Sequence, residues 1–252
     1  MCLILFAYKV HPKYKLIVAA NRDEFYQRPT APAYFWEDDP DILAGRDLEK
    51  MGTWMGVTKM GRFSALTNYR NPKEDSNGKR SRGELVLDAL QYQGDIKDYM
   101  ENLVINKDKY PGYNLLAGDG NMLYYYSNVG QELLEVPPGI YGVSNHLLNT
   151  EWPKVQMGKE GLTEIITTKQ TDLVEPLLTL LQKADQAPDE KLPKTGVSLE
   201  LERMLSPMFI KSEGYGTRSS TVMLMSEQEI NYVERVFSNN EVNTQKYIVE
   251  LK

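Results

Sequence analysis

The chain opens on a continuous apolar run from Cys2 to Tyr8, the pattern of a strand buried on both faces. His11-Pro12-Lys13 carries turn chemistry. Lys15 to Ala20 then reads as the return strand of a hairpin, ending at Asn21-Arg22-Asp23-Glu24. The stretch from Gln27 to Pro40, rich in proline and aromatic residues, reads as a surface loop. Thr53 to Thr58 and Arg62 to Asn68 form a second hairpin around Lys59-Met60-Gly61, and Asn71 to Gly78 is a polar, turn-rich loop beside it. Ser81, with Glu84 three residues on, has the pattern of a capping box opening a helix. A second helix is expected over Ile96 to Ile105.

Strands return at Tyr113 to Ala117 and Met122 to Ser127, around the hairpin signal Gly118-Asp119-Gly120. Tyr124, Tyr125 and Tyr126 must alternate between two faces there, which reads as sheet packing. Gly139 to Ser144 is a further strand leading into Asn145-His146. Thr163 to Thr168 and Asp172 to Lys183 read as helical, the latter with Leu173, Leu177, Leu180 and Leu181 at core spacing. Ser198 to Leu205 is a short helix, and strands follow at Ser219 to Met225, Ile230 to Val236 and Lys246 to Leu251. No repeat or composition break marks a linker, so residues 1–252 read as one α+β domain with layered antiparallel sheets. Strand pairing and sheet order do not follow from the pattern.

With 252 residues, 41% of them apolar, the chain can bury a sizeable core without metals or disulfides. One cysteine excludes an internal disulfide, and two histidines argue against a histidine-based metal centre. The net charge of −6 argues against a nucleic-acid binder. The short basic cluster Lys79, Arg80 and Arg82 reads as a solvated face. No run approaches the roughly 20 apolar residues of a membrane helix, and the opening lacks the basic leader of a signal peptide. A cytoplasmic protein without membrane insertion is expected.

Cys2 is the first candidate for chemistry. Met1 followed by a small residue is the situation in which the initiator is removed, leaving a thiol and a free α-amine on one residue. An α-amine titrates near ~7.7–8.0 and can act as a base beside the thiol. Against this stands the ordinary reading of Cys2 as a small hydrophobe of the first strand. A hairpin turning near His11 places residues 20 to 23 opposite Cys2, so a guanidinium and a carboxylate arrive beside it by connectivity. Arg22 can stabilise a thiolate and Asp23 can orient the α-ammonium; equally, the two can be a surface pair capping a strand.

The opening Met-Cys-Leu-Ile, the Ala20-to-Pro29 segment and Gly52-Thr53-Trp54-Met55-Gly56-Val57 resemble the NRDE family, also called the transport and Golgi organisation 2 family. The resemblance implies the four-layer αββα fold of the N-terminal-nucleophile hydrolases, with stacked antiparallel sheets. A more distant likeness to the choloylglycine hydrolase and penicillin V acylase group implies cleavage of amides by an N-terminal cysteine. Residue by residue, Cys2 matches the nucleophile and Arg22 and Asp23 the Arg and Asp of the next strand. Those two are adjacent here rather than spaced, so at most one is expected to keep its role. Asn68 and Asn145 are candidate oxyanion donors and Arg218 a candidate late arginine near the nucleophile. Each of the three also has an ordinary reading as a turn residue or surface charge. Tyr34 to Trp36 and Asn71 to Gly78 are candidate pocket walls.

Two functions stay open. One is a cysteine amide hydrolase or acyltransferase on a small-molecule substrate, needing neither metal nor cofactor. The other is a non-enzymatic binding or trafficking protein, associated in this family with haem or lipid mobilisation and secretory organisation. For haem iron, Cys2, His11 and His146 are the main available ligands.

Overall fold

The computed structural model describes residues 2–168, 172–238 and 241–251; Met1, whose removal the sequence predicts, lies outside them. The apolar opening forms β1 (Cys2–Tyr8), which pairs with β2 (Leu16–Phe25) in the expected hairpin, with Cys2 opposite Arg22. Numbering along the chain, the other edge of β1 takes β10 (Gly139–Val143). The other edge of β2 takes β11 (Tyr215–Met225), followed by β12 (Glu229–Ser238) and β13 (Glu241–Glu250). This gives a six-stranded antiparallel sheet ordered β10-β1-β2-β11-β12-β13. The second sheet is a seven-stranded meander: β3 (Thr30–Phe35), β4 (Ile42–Asp47), β5 (Met55–Thr58), β6 (Phe63–Asn68), β7 (Tyr113–Gly118), β8 (Leu123–Ser127) and β9 (Leu133–Glu135).

Side-chain alternation sorts the residues into layers. Ile4, Phe6 and Val18 of the first sheet meet Val57, Phe63, Leu116 and Tyr125 of the second in the central core. Leu3, Leu5 and Ile17 point the other way and pack against α3 (Pro153–Thr167) and α4 (Val174–Leu181). On the far side, Leu66, Leu115, Tyr124 and Tyr126 pack against α1 (Gly83–Gln91) and α2 (Ile96–Ile105). The result is αββα. Both faces of β1 are covered, which is why its sequence is apolar throughout. The tyrosine triplet divides as its period predicts, with Tyr125 between the sheets and its neighbours under the helices.

Three expectations are corrected. Gln27 to Pro40 is not all loop: β3 lies within it as an edge strand, where proline is tolerated, and its register shifts between Ala31 and Tyr34, around Pro32. Trp36 is not a pocket wall but a core residue whose Nε1 donates to the Ala44 carbonyl. The helix expected from Thr163 begins ten residues earlier, at Pro153, a favoured residue for a first turn. Its glycines blur the helical pattern because they serve close packing: a Cβ on Gly158 would meet Leu5 at 2.7 Å. The capping box is half formed, since the Ser81 N–H donates to Glu84 but no side chain caps α1.

Candidate active site

Cys2 is the first residue of β1 and shares the inter-sheet side of its strand with Ile4 and Phe6. It faces a cavity of about 580 Å³ lined also by Arg22, Asp23, Trp54, Asn68 and Arg82. Burial pushes the Cys2 thiol up and the Asp23 carboxyl adds to this, while the Arg22 guanidinium and the Asp23 main chain draw it down.

Arg22 sits directly across from Cys2. Its guanidinium lies 4.3 Å from the Trp54 ring centroid and 3.9 Å from Glu24, and its Nη1 is buried without a hydrogen-bond partner among the described residues. Asp23 belongs to the other side of β2. Thr217 Oγ1 donates to its carboxylate at 2.7 Å and Tyr215 Oη to its carbonyl at 3.1 Å. Burial raises the Asp23 pKa, against the pull of Lys154, Thr217 and Arg22. Connectivity was expected to bring both beside Cys2, and both line the cavity although their side chains leave opposite sides of the strand. The reason is position: Cys2 is the first residue of β1, so the cavity reaches both sides of β2.

The other candidates separate. Asn68 ends β6 and lines the cavity. Asn145 is fully buried behind it and outside the lining, with Nδ2 donating to the Asn68 carbonyl at 3.0 Å. The Ser144 hydroxyl lies 3.0 Å from the Cys2 carbonyl oxygen and 3.2 Å from Asn145 Oδ1. Arg218 falls where the β11 register shifts between Thr217 and Ser219. Its Nη1 donates to the Phe25 and Arg28 carbonyls, and with Glu234 it lines a small neighbouring cavity that shares Arg22 and Trp54 with that of Cys2.

Two groups escaped the sequence reading. Lys79 and Arg80 are exposed, as a solvated face should be, but with the partly buried Arg82 they also line the cavity of Cys2. Their pattern in sequence is the same whether a wall closes over them or not. Lys154, in the first turn of α3, is 3% exposed, donates to the Leu205 carbonyl at 2.9 Å and lies within the field of Asp23 and Cys2. The Pro153 start signal could have found it.

Burial lowers the Lys154 pKa from 10.5 to about 8, outweighing the attraction of Asp23. Between those two values the unfolded chain holds a proton that the native lysine has lost, so this residue makes stability rise with pH across that window. Lys154→Met removes the dependence. In urea unfolding, the stability of the variant relative to the parent is expected to fall by about 2 kcal/mol between pH 7 and pH 9.5. An equal difference at both pH values would overturn the assignment.

The two histidines lie elsewhere. His11 Nδ1 accepts from the Lys13 and Tyr14 main-chain N–H groups in the turn beyond β1. A strand of this length separates it from Cys2 by ~20 Å, so the two cannot share one metal. His146 Nδ1 is paired with Thr150 Oγ1 at 2.8 Å.

The sequence profile of the Transport and Golgi organisation 2 family matches residues 1–239. The chain belongs to that family. It is 35% identical to the human Transport and Golgi organization protein 2 homolog, over 96% of this chain and 95% of the human one. To the Drosophila melanogaster Transport and Golgi organization protein 2 it is 30% identical, over 94% and 93%. Among solved structures, an N-acylethanolamine-hydrolyzing acid amidase ortholog of Caenorhabditis elegans aligns with a TM-score of 0.49 at 11% identity, covering 88% of this chain and 92% of that one. A conjugated bile acid hydrolase from Clostridium perfringens aligns at 0.46 and 11%, covering 100% and 97%. Likenesses at these scores decide neither substrate nor chemistry; the αββα layering of this Transport and Golgi organisation 2 chain stands on its own sheet order and packing. Among its described residues, no helix is long and apolar enough to cross a membrane.

Proposed function

We propose that this chain is an N-terminal cysteine hydrolase or acyltransferase acting on the C–N bond of a small-molecule amide. The observation that carries the reading is the placement of Cys2, at the first position of β1, in a cavity of about 580 Å³ with Arg22 opposite it and Asp23 buried alongside. With Met1 removed, the Cys2 α-amine takes the thiol proton and Sγ attacks the amide carbonyl. The ammonium then returns that proton to the leaving nitrogen as the C–N bond breaks, leaving a thioester. Water, deprotonated by the same amine, hydrolyses the thioester; a second amine or alcohol in place of water gives acyl transfer. Arg22 supports the thiolate, and Asp23 orients the α-ammonium. Asn68 faces the cavity and is the better-placed oxyanion donor, and Asn145 positions it through the Asn68 carbonyl. Loss of one such donor typically costs about 10²–10³ in rate.

Intact mass spectrometry of untagged protein, before and after iodoacetamide, tests this. The expected result is a mass lacking Met1, with rapid single alkylation that Cys2→Ala abolishes and that Asp23→Asn or Arg22→Ala slows about tenfold or more. A retained Met1 sinks the mechanism, because an acylated α-nitrogen cannot serve as base. An inert thiol does the same.

The names of the relatives favour a second reading, in which the same cavity holds a ligand for transport and no bond is broken. Haem is one candidate cargo. A Soret shift on mixing haem with micromolar protein supports this reading, and its absence counts against it.

A further inference from the structure

In a chain of net charge −6, the wall around Cys2 carries six Lys and Arg side chains against four Asp and Glu, and most of these cations have a carboxylate partner. Arg28 is engaged by Asp47 at 2.7 Å and Arg80 by Glu84. Arg82 is different. It is largely enclosed, its Nη1 donates to the Gly112 carbonyl at 3.0 Å, and among the described residues no carboxylate lies within ion-pair distance of it. Arg22, on the same lining, is 6% exposed; Glu24 lies 3.9 Å from its Nη2, and its Nη1 has no hydrogen-bond partner among the described residues. Enclosing a guanidinium without a close counter-charge, as at Arg82, is unfavourable unless an anion completes it.

The third contributor is independent of side-chain charge. Ser81, Arg82 and Gly83 bring the N-terminus of α1, nine residues long, into the lining. No side chain caps it. Unsatisfied N–H groups and the positive end of the helix dipole favour an anion at such a terminus. Guanidinium groups add the planar double donors that suit carboxylate and phosphate oxygens.

We infer that Arg82, the unpartnered Nη1 of Arg22 and the open N-terminus of α1 form an anion subsite beside Cys2, so that the molecule processed there carries a carboxylate or phosphate group. The substrate clause rests on the hydrolase reading; the subsite itself does not. A neutral amide leaves these donors unpaired, whereas an anionic amide fills them and fixes its carbonyl relative to the thiol.

Cys2 is the one cysteine of the chain, so its alkylation reports the local field without ambiguity. Rates with anionic iodoacetate and neutral iodoacetamide are compared with those for free cysteine. The ratio of iodoacetate to iodoacetamide rates is expected to exceed that of free cysteine by about tenfold, the lower end of what a focused field does to local anion concentration. Arg82→Gln removes most of this excess and Lys79→Gln, a variant of a more exposed wall residue, a smaller part. Inorganic phosphate and acetate are then titrated calorimetrically into the Cys2→Ala protein. Preference for one identifies the oxyanion as phosphate or carboxylate, and Arg82→Gln weakens the binding about tenfold or more. A ratio equal to that of free cysteine, together with no binding of either anion to Cys2→Ala, overturns the subsite. If Cys2 is inert to both reagents while anion binding persists and depends on Arg82, the subsite stands and the hydrolase reading falls.

Discussion

Glu202→Ala is expected to lower the unfolding free energy by about 3–5 kcal/mol. Glu202, in α5 (Leu199–Leu205), and Arg70 form an ion pair at 2.8 Å with side chains only 4% and 7% exposed. Burial pulls the Arg70 pKa down and Glu202 is the first of the groups holding it up. The carboxylate also accepts from the Thr195 N–H and hydroxyl, while the guanidinium lies 4.8 Å from the Trp152 ring centroid. Truncating the carboxylate strands a buried cation and two Thr195 donors at once. For a chain of this size the loss corresponds to a fall in Tm of roughly 10 °C, read by calorimetry. Pairing Glu202→Leu with Arg70→Met is expected to recover part of it, because the desolvation of both charges disappears together. A single-variant loss below about 1 kcal/mol, the range of exposed pairs, would show that water reaches the pair.

Gly52→Ala is the second large effect. A Cβ on Gly52 would lie 2.6 Å from the Gly83 carbonyl carbon and 2.7 Å from its oxygen. These are main-chain atoms at the start of α1, already tied to the next residue by the Thr53 N–H donating to the Gly83 carbonyl. No rotamer change relieves the clash, so the first turn of α1 must move. The expected cost is about 1–3 kcal/mol, with a fall in phosphate affinity, because the helix end that moves is part of the cavity wall. Thermal unfolding and the phosphate titration check both. A variant within about 0.5 kcal/mol of the parent, with unchanged affinity, would mean that the strand and helix separate without consequence. The left-handed residue of the turn that leads into Gly52 is its neighbour Met51, with φ 61°.

Much of the architecture was legible where short-range rules govern. The β1–β2 hairpin was readable because its strands are neighbours in sequence and their burial on both faces writes an unbroken apolar run. That register alone places Arg22 across from Cys2. The helix over Ile96 to Ile105 and the two-sided tyrosine triplet follow from period in the same way. Where small residues serve close packing, as in Gly158 of α3 against Leu5, the period is blurred and the helix start was missed.

The sequence by itself determined most of the elements, though not β3, β4, β9 or the start of α3. It also determined their alternating faces and the meeting of Cys2 with Arg22, which depend on local periodicity and a single turn. Only the tertiary structure decided what closes around them. It set β11 beside β2, bringing Thr217 to Asp23 from 194 residues away. It also enclosed Lys154 and Arg82 and moved Asn145 behind Asn68. The physical reason is that burial and charge compensation belong to the space between elements. A basic cluster has the same spacing in solvent and in a cavity wall, and the difference lies in the long-range packing laid over it.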